Sequence, residues 1–250
     1  MSDVSCEQVH DHVAVVRLCR PPNNFFDTVL LTELADLYED LGRSDWCRAI
    51  VLTSEGKHFC AGLDFDGNDG QDIALLYAQA VRIFAAPLPV VAAVQGAAIG
   101  GGCGLAMSAD FRVATPQSRF STNFAQLGFH HGFALTVTMR DTVGAQVGAD
   151  LLFTGRRIGG EEARALGVCD ELADEGDLLE RAVARADAIA SSGPLAVRAI
   201  RATLRAGLVE RVRAAMEAEC AEQERLRHTA DFAEGVRATA ERRAPRFTGR

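Results

Sequence analysis

Val94-Gln95-Gly96-Ala97-Ala98-Ile99-Gly100-Gly101-Gly102-Cys103-Gly104-Leu105-Ala106-Met107-Ser108-Ala109-Asp110 is a knot of glycines set between two different periodicities. The apolar, β-rich run 90–94 leads in, and Leu105, Ala106 and Met107 continue as helix, so the stretch reads as a strand, a glycine turn and a helix start. Glycine tolerates φ > 0 and lets a ligand approach the backbone closely, while the first N–H groups of a helix have no intrahelical partner. Together these make a donor site for a negatively charged oxygen. Glycines that only let a helix pack tightly would look the same from this stretch alone. Two nucleotide motifs are disfavoured: G-x-G-x-x-G would need glycine at 105 or 107, and G-x-x-x-x-G-K-[ST] does not occur.

Outward from the glycines, strands and helices alternate. Residues 12–19 are mostly apolar and β-branched, and Pro21-Pro22 ends them as a strand. Residues 27–43 place Leu30, Leu31, Leu34, Leu37, Tyr38 and Leu41 at helical spacing, with Asp27 or Thr28 as the cap. Residues 48–54 give a second strand, 73–84 a helix stopped by Pro87 and Pro89, and 111–114 a fourth apolar run. This order predicts α/β layering around a buried parallel sheet.

Residues 55–66 form a loop of small residues pinned by Phe59 and Phe65, followed by an acidic, glycine-rich segment at 67–70. Residues 118–133 carry aromatics, glycines and the paired His130 and His131, and read as a pocket wall. Helices are expected at 134–147, 149–153, 160–166 and 178–191. Gly193-Pro194 marks a boundary between a core, 1–193, and a helical region, 194–250. The helices at 195–206 and 209–242 show only a sparse apolar stripe (Val212, Met216, Cys220), so they must lie against the body or another subunit.

Composition narrows the function classes. With 250 residues the chain can bury a sizeable core. A net charge of −8 with scattered basic residues argues against a nucleic-acid partner. Seven cysteines, none spaced C-x-x-C, behind a Met-Ser-Asp start without a signal-peptide pattern, predict a cytoplasmic protein without disulfides, and no metal site is expected. No apolar run reaches the ~20 residues that span a bilayer, so no membrane association is expected.

The separated pieces then combine. Arg20-Pro21, Phe59-Cys60-Ala61-Gly62-Leu63-Asp64, Val94-Gln95-Gly96 running into Gly100-Gly101-Gly102-Cys103, Ala109-Asp110, and Phe153-Thr154-Gly155 followed by Ala163 and Leu166-Gly167 closely resemble the crotonase family, enoyl-CoA hydratase/isomerase. The resemblance covers roughly residues 10–240. It implies an α/β spiral of β-β-α repeats with a helical C-terminal region that mediates trimers, often paired into hexamers. It also implies an acyl-CoA thioester as substrate or ligand, no further cofactor, and a place in fatty-acid or related acyl-CoA metabolism.

By motif position, the resemblance assigns the N–H groups of Ala61 and Gly101 as the pair that holds the thioester oxygen and stabilises an enolate. It places Asn24, Phe25, Gly62, Leu63, Asp64 and Gly100 around the CoA thioester, with capping of the following segment as the preferred role of Asp64. Phe124, Phe129 and Phe133 would line an apolar acyl pocket.

Hydratases of this family use two glutamates, one just after the Gly-Gly-Gly-Cys run and one about twenty residues on. Here those positions hold Gly104 and Phe124, and neither can transfer a proton. His130 and His131 are candidate replacements, since histidine titrates near neutral pH. Asp66 and Asp69 in the following loop, Cys103 beside the donor and His58 are weaker candidates, better explained as solvated, buried or surface residues. Two functional hypotheses follow: an acyl-CoA lyase, isomerase or hydrolase with an unconventional base, or a non-catalytic acyl-CoA-binding protein on the same fold.

Overall fold

The computed structural model describes residues 2–63 and 72–250. The chain opens with β1 (Val4–His10) and β2 (Val13–Leu18), then α1 (Thr28–Arg43), β3 (Ala49–Ser54), α2 (Ile73–Phe84), β4 (Val90–Val94), β5 (Ala97–Ile99), α3 (Gly101–Ser108), β6 (Phe111–Ala114) and β7 (Arg119–Ser121). A 3-10 turn, Ala125–Leu127, precedes α4 (Leu135–Val143), α5 (Ala145–Thr154), β8 (Ile158–Gly159), α6 (Gly160–Leu166), β9 (Glu171–Leu172) and α7 (Leu178–Ala190). Three helices complete it: α8 (Pro194–Leu204), α9 (Leu208–Arg227) and α10 (Ala230–Ala240).

β3 and β4 are buried at every position, as suits parallel strands covered on both faces. Among the described residues, six strands form one sheet in the order β1-β2-β3-β4-β6-β9, antiparallel between β1 and β2 and parallel elsewhere. The two-residue period of the strands sorts their side chains between two cores. Val16, Leu18, Ile50, Leu52 and Val90 join the larger one with Leu30 and Leu34 of α1. Val13, Val15, Ala49, Val51 and Val91 join the smaller one, against Ala182 and Ala186 of α7. A second sheet, β5-β7-β8, carries the chain to the glycine stretch.

Several elements differ from expectation. β1 is an additional strand; it lies at the sheet edge with mostly exposed side chains, so it lacks a continuous apolar run. The helix expected over 134–147 is two helices, broken at Gly144 with φ +83°. The one expected over 209–242 breaks at His228-Thr229, where the Thr229 hydroxyl accepts from Phe232 N–H (3.1 Å) and starts α10 anew. Asp27 caps α1 as expected, accepting from Leu30 N–H at 2.9 Å. Among the described residues, no helix is long and apolar enough to cross a membrane.

α8 is docked by charge rather than by apolar burial. Asp110 accepts from Val90 N–H (2.8 Å), Arg201 Nε (2.9 Å) and Arg205 Nη1 (2.8 Å), tying α8 to the end of β4. α9 and α10 pack on α2 and on the 3-10 turn, so the C-terminal helices help wall the cavity described next.

Candidate active site

The glycine stretch folds as its residue types require. β5 ends at Ile99, and Gly100, at φ +57°, turns the chain into α3. The start of α3 is wedged against the 60–63 loop: a Cβ on Gly102 would lie 2.1 Å from the Cys60 carbonyl oxygen, and one on Gly101 would lie 2.5 Å from Phe26 Cζ. Only glycine fits at either position without displacing these neighbours. The Gly101 N–H, first in α3, meets no acceptor among the described residues.

The facing loop is held by backbone bonds. Cys60 N–H donates to Ala97 O (3.1 Å), Ile99 N–H to Cys60 O (3.0 Å) and Phe26 N–H to Gly62 O (3.0 Å). Ala61, the expected donor, is not available, because its N–H donates to Asn23 O at 2.9 Å. Gly62, at φ +86°, turns the backbone, and the next N–H, that of Leu63, meets no acceptor among the described residues. A Cβ on Gly62 would sit 3.2 Å from Gly101 N and 3.0 Å from Ile99 O, so this glycine keeps the space between loop and helix open. The free pair of donors is thus Leu63 and Gly101, at a helix N-terminus that favours negative charge.

Both donor residues border a cavity of about 280 Å³. Its walls are mainly apolar: Phe25, Gly100, Phe124, Phe129 and Phe133 line it, joined by Ile73 and Leu76 of α2. Asn24 does not line it. Fully buried at φ +50°, its side chain accepts from Arg20 N–H (3.0 Å) and donates to Glu55 O (2.8 Å) and His58 O (2.7 Å), bracing the loop behind the donors. Asp64, Asp66 and Asp69 lie outside the described residues.

Aromatic rings pack at Gly104 and at Gly100. A Cβ on Gly104 would lie 2.5 Å from Phe133 Cβ and 3.0 Å from its Cγ, so the Phe133 side chain occupies that space. Phe133 is 1 % exposed and packs on Phe26 and Phe84, with ring centroids 5.4 and 6.2 Å away. Phe124 lies along Gly100, where a Cβ would meet its Cζ at 3.6 Å.

The candidate bases His130 and His131 stand outside the cavity lining. Their rings stack at 4.2 Å, and His131 Nε2 bonds the Thr136 hydroxyl at 2.7 Å. Phe133 and Ala134, which follow the histidines, are both at positive φ (+59° and +57°), and of the four residues 130, 131, 133 and 134 only Phe133 is in the lining. Burial pushes His131 down to about 4, so it stays neutral although Glu219 lies 3.8 Å away. Cys103 is fully buried, outside the cavity lining, and burial pushes its thiol up to about 12, which leaves it a packing group. His58 is half-buried and also stands outside the lining.

Five polar lining residues, Tyr77, Asn123, Gln223, Arg227 and Thr239, were not anticipated. The Tyr77 hydroxyl donates to Gln223 Oε1 (2.9 Å) and accepts from the Phe133 N–H, while Gln223 Nε2 donates to His130 O (3.0 Å). Burial pushes the Tyr77 hydroxyl far above its usual range, so it remains neutral. In the sequence Tyr77 is one more apolar-face residue of a helix, and only the fold brings it to Gln223, 146 positions away. Among the described residues, the lining includes no carboxylate, histidine or cysteine.

Residues 8–250 match the enoyl-CoA hydratase/isomerase family. The chain is 32 % identical over 262 residues to an enoyl-CoA isomerase/hydratase of Zymoseptoria tritici, covering 95 % of this chain and 84 % of that protein. It is 29 % identical over 253 residues to the enoyl-CoA hydratase EchA19 of Mycobacterium tuberculosis, covering 96 % and 94 % respectively. The crystal structure of an enoyl-CoA hydratase/isomerase from Pseudoalteromonas atlantica superposes with a TM-score of 0.88 at 28 % identity, covering 98 % of this chain and all of that one. With its two sheets, its glycine turn into α3 and its helical C-terminal region, the chain has the crotonase fold and belongs to the enoyl-CoA hydratase/isomerase family.

Proposed function

We propose that the protein processes an acyl-CoA thioester, holding its carbonyl oxygen between the N–H groups of Leu63 and Gly101 so that charge developing on the oxygen in an enolate is stabilised. The observation that carries this reading is the pair of N–H groups, without acceptors among the described residues, that border one apolar cavity. Donors of this kind contribute ~3–4 kcal/mol each, or ~10²–10³ in rate. The acyl chain would run along Phe124 and Phe129.

Hydration by two flanking carboxylates is disfavoured within this reading. Phe133 fills the space beside Gly104, and Phe124 stands at the second position. The same facts favour a second reading, a non-catalytic acyl-CoA-binding protein. A homotrimer or hexamer belongs to either reading, supported by Leu195 (82 % exposed) and Leu204 (81 % exposed) on α8; sedimentation as a monomer would count against it.

The test is carbonyl polarisation. The ¹³C resonance of [1-¹³C]butyryl-CoA is expected to move downfield on saturation, and Gly62→Ala, whose methyl would intrude 3.2 Å from Gly101 N, is expected to reduce the shift. Deuterium uptake at Cα in D2O, or turnover of a panel of enoyl- and 3-oxoacyl-CoA thioesters, supports the enzyme reading. Polarisation without uptake or turnover supports the binding reading. An unshifted resonance in the saturated protein refutes the two donors.

A further inference from the structure

Arg227, the last residue of α9, borders the cavity one helical turn after Gln223. Among the described residues its guanidinium is poorly paired: Nε is buried without a hydrogen-bond partner, and the carboxylate within reach, Glu224, stands 3.9 Å away. Glu224 is itself 67 % exposed and closer to His228, at 3.2 Å, so it screens Arg227 weakly. Gln223 and Tyr77 on the same wall are engaged with each other, with Phe133 N–H and with His130 O. Thr239 of α10 adds a hydroxyl on the cavity lining.

Apart from Tyr77, Asn123, Gln223, Arg227 and Thr239, the lining side chains are apolar, among them Ile73, Leu76, Phe124, Leu127 and Phe129. Such a surface suits methylene groups and offers little to the amides of a pantetheine arm, which need hydrogen-bond partners. A planar guanidinium on such a lining suits a carboxylate, which it can hold through two N–H groups. We propose that Arg227, with Thr239 on the same lining, forms an anion subsite that selects acyl groups ending in a distal carboxylate. This rests on the reading of the cavity as an acyl-thioester site.

The test compares butyryl-CoA with glutaryl-CoA by calorimetry, in the native protein and in Arg227→Gln and Arg227→Lys. The S-butyryl and S-glutaryl N-acetylcysteamine thioesters, which lack the CoA phosphates, are measured by competition. The native protein is expected to prefer the glutaryl thioester in both series. Arg227→Gln is expected to weaken glutaryl binding at least ~10-fold, the scale of a charged hydrogen bond, with little effect on butyryl, and Arg227→Lys to recover part of the loss. Equal weakening of both CoA thioesters, with no effect on the N-acetylcysteamine pair, would assign Arg227 to a CoA phosphate and overturn the proposal. No effect on any ligand would make it a solvated cation and overturn it too. If butyryl-CoA binds while the glutaryl preference is missing, only the subsite fails; if neither CoA thioester binds the native protein, the thioester reading fails with it.

Discussion

Gly104→Ala tests whether Phe133 is what closes the position beside the glycine turn. The added methyl would lie 2.5 Å from Phe133 Cβ, 3.0 Å from Cγ and 3.1 Å from Cδ1, all inside normal contact. The obstacle includes the root of the side chain and cannot swing clear. Phe133 is also held from behind, by Phe26 and Phe84, and its neighbour Ala134 donates N–H to the buried Glu219 at 2.9 Å. Overpacking of this kind costs ~1–3 kcal/mol, while alanine in place of glycine inside a helix returns ~1 kcal/mol. The net expectation is a destabilisation of up to about 2 kcal/mol, or a midpoint lower by as much as roughly 8 °C for a chain of this size.

The informative measurement is a double-mutant cycle with Phe133→Leu, followed by urea unfolding. Leucine removes part of the obstructing ring, so Gly104→Ala should cost less in that background, with a coupling of ~1 kcal/mol or more. Additive effects would refute the reasoning, because they would mean that the two residues do not compete for one space. The same geometry makes Gly104→Glu alone a poor route to a hydratase.

Two further perturbations address the scaffold. Asp110→Ala leaves Arg201, Arg205 and the Val90 amide without their shared acceptor, and these side chains are 12–16 % exposed; a loss of ~3–5 kcal/mol is expected, and a midpoint within ~3 °C of the native protein would refute the docking role. For His131, the folded value of about 4 lies below its ordinary 6.5, so the unfolded chain binds more protons between these limits. Its contribution is therefore present above pH 6.5 and lost as pH falls toward 4, by up to about 3 kcal/mol, and His131→Asn should flatten that part of the stability profile in urea titrations. An unchanged slope would show that His131 is charged in the folded protein.

The sheet and most helices were legible because burial imposes periodicity on the sequence: β3 and β4, covered on both faces, have to be apolar at every position. β1 was not, because one exposed face leaves no such run. At the site, residue types were legible and directions were not. That Gly101 begins a helix follows from its neighbours, but which loop N–H is free depends on the sign of φ at Gly62, and that sign moves the donor from Ala61 to Leu63. His130 and His131 are conspicuous in the sequence, yet neither borders the cavity that Phe133, close by in the chain, does line.

Glu219 shows why the presence of an acid near a site does not make it available. It is 1 % exposed and lies behind the cavity wall, where its carboxylate accepts from Ala134 N–H (2.9 Å), Thr136 N–H (3.1 Å) and the Thr136 hydroxyl (2.6 Å). Those bonds fix the turn that carries Phe133 into the space beside Gly104, so this acid supports the ring that packs there. Burial raises its proton affinity, while its three donors favour the charged form. With these oxygens engaged at the start of α4, the role open to Glu219 is positional. Glycine at 104 and placement of Phe133 by a carboxylate at 219 are therefore coupled features of one packing arrangement, and the coupling cannot be read from the residues around Gly104 alone.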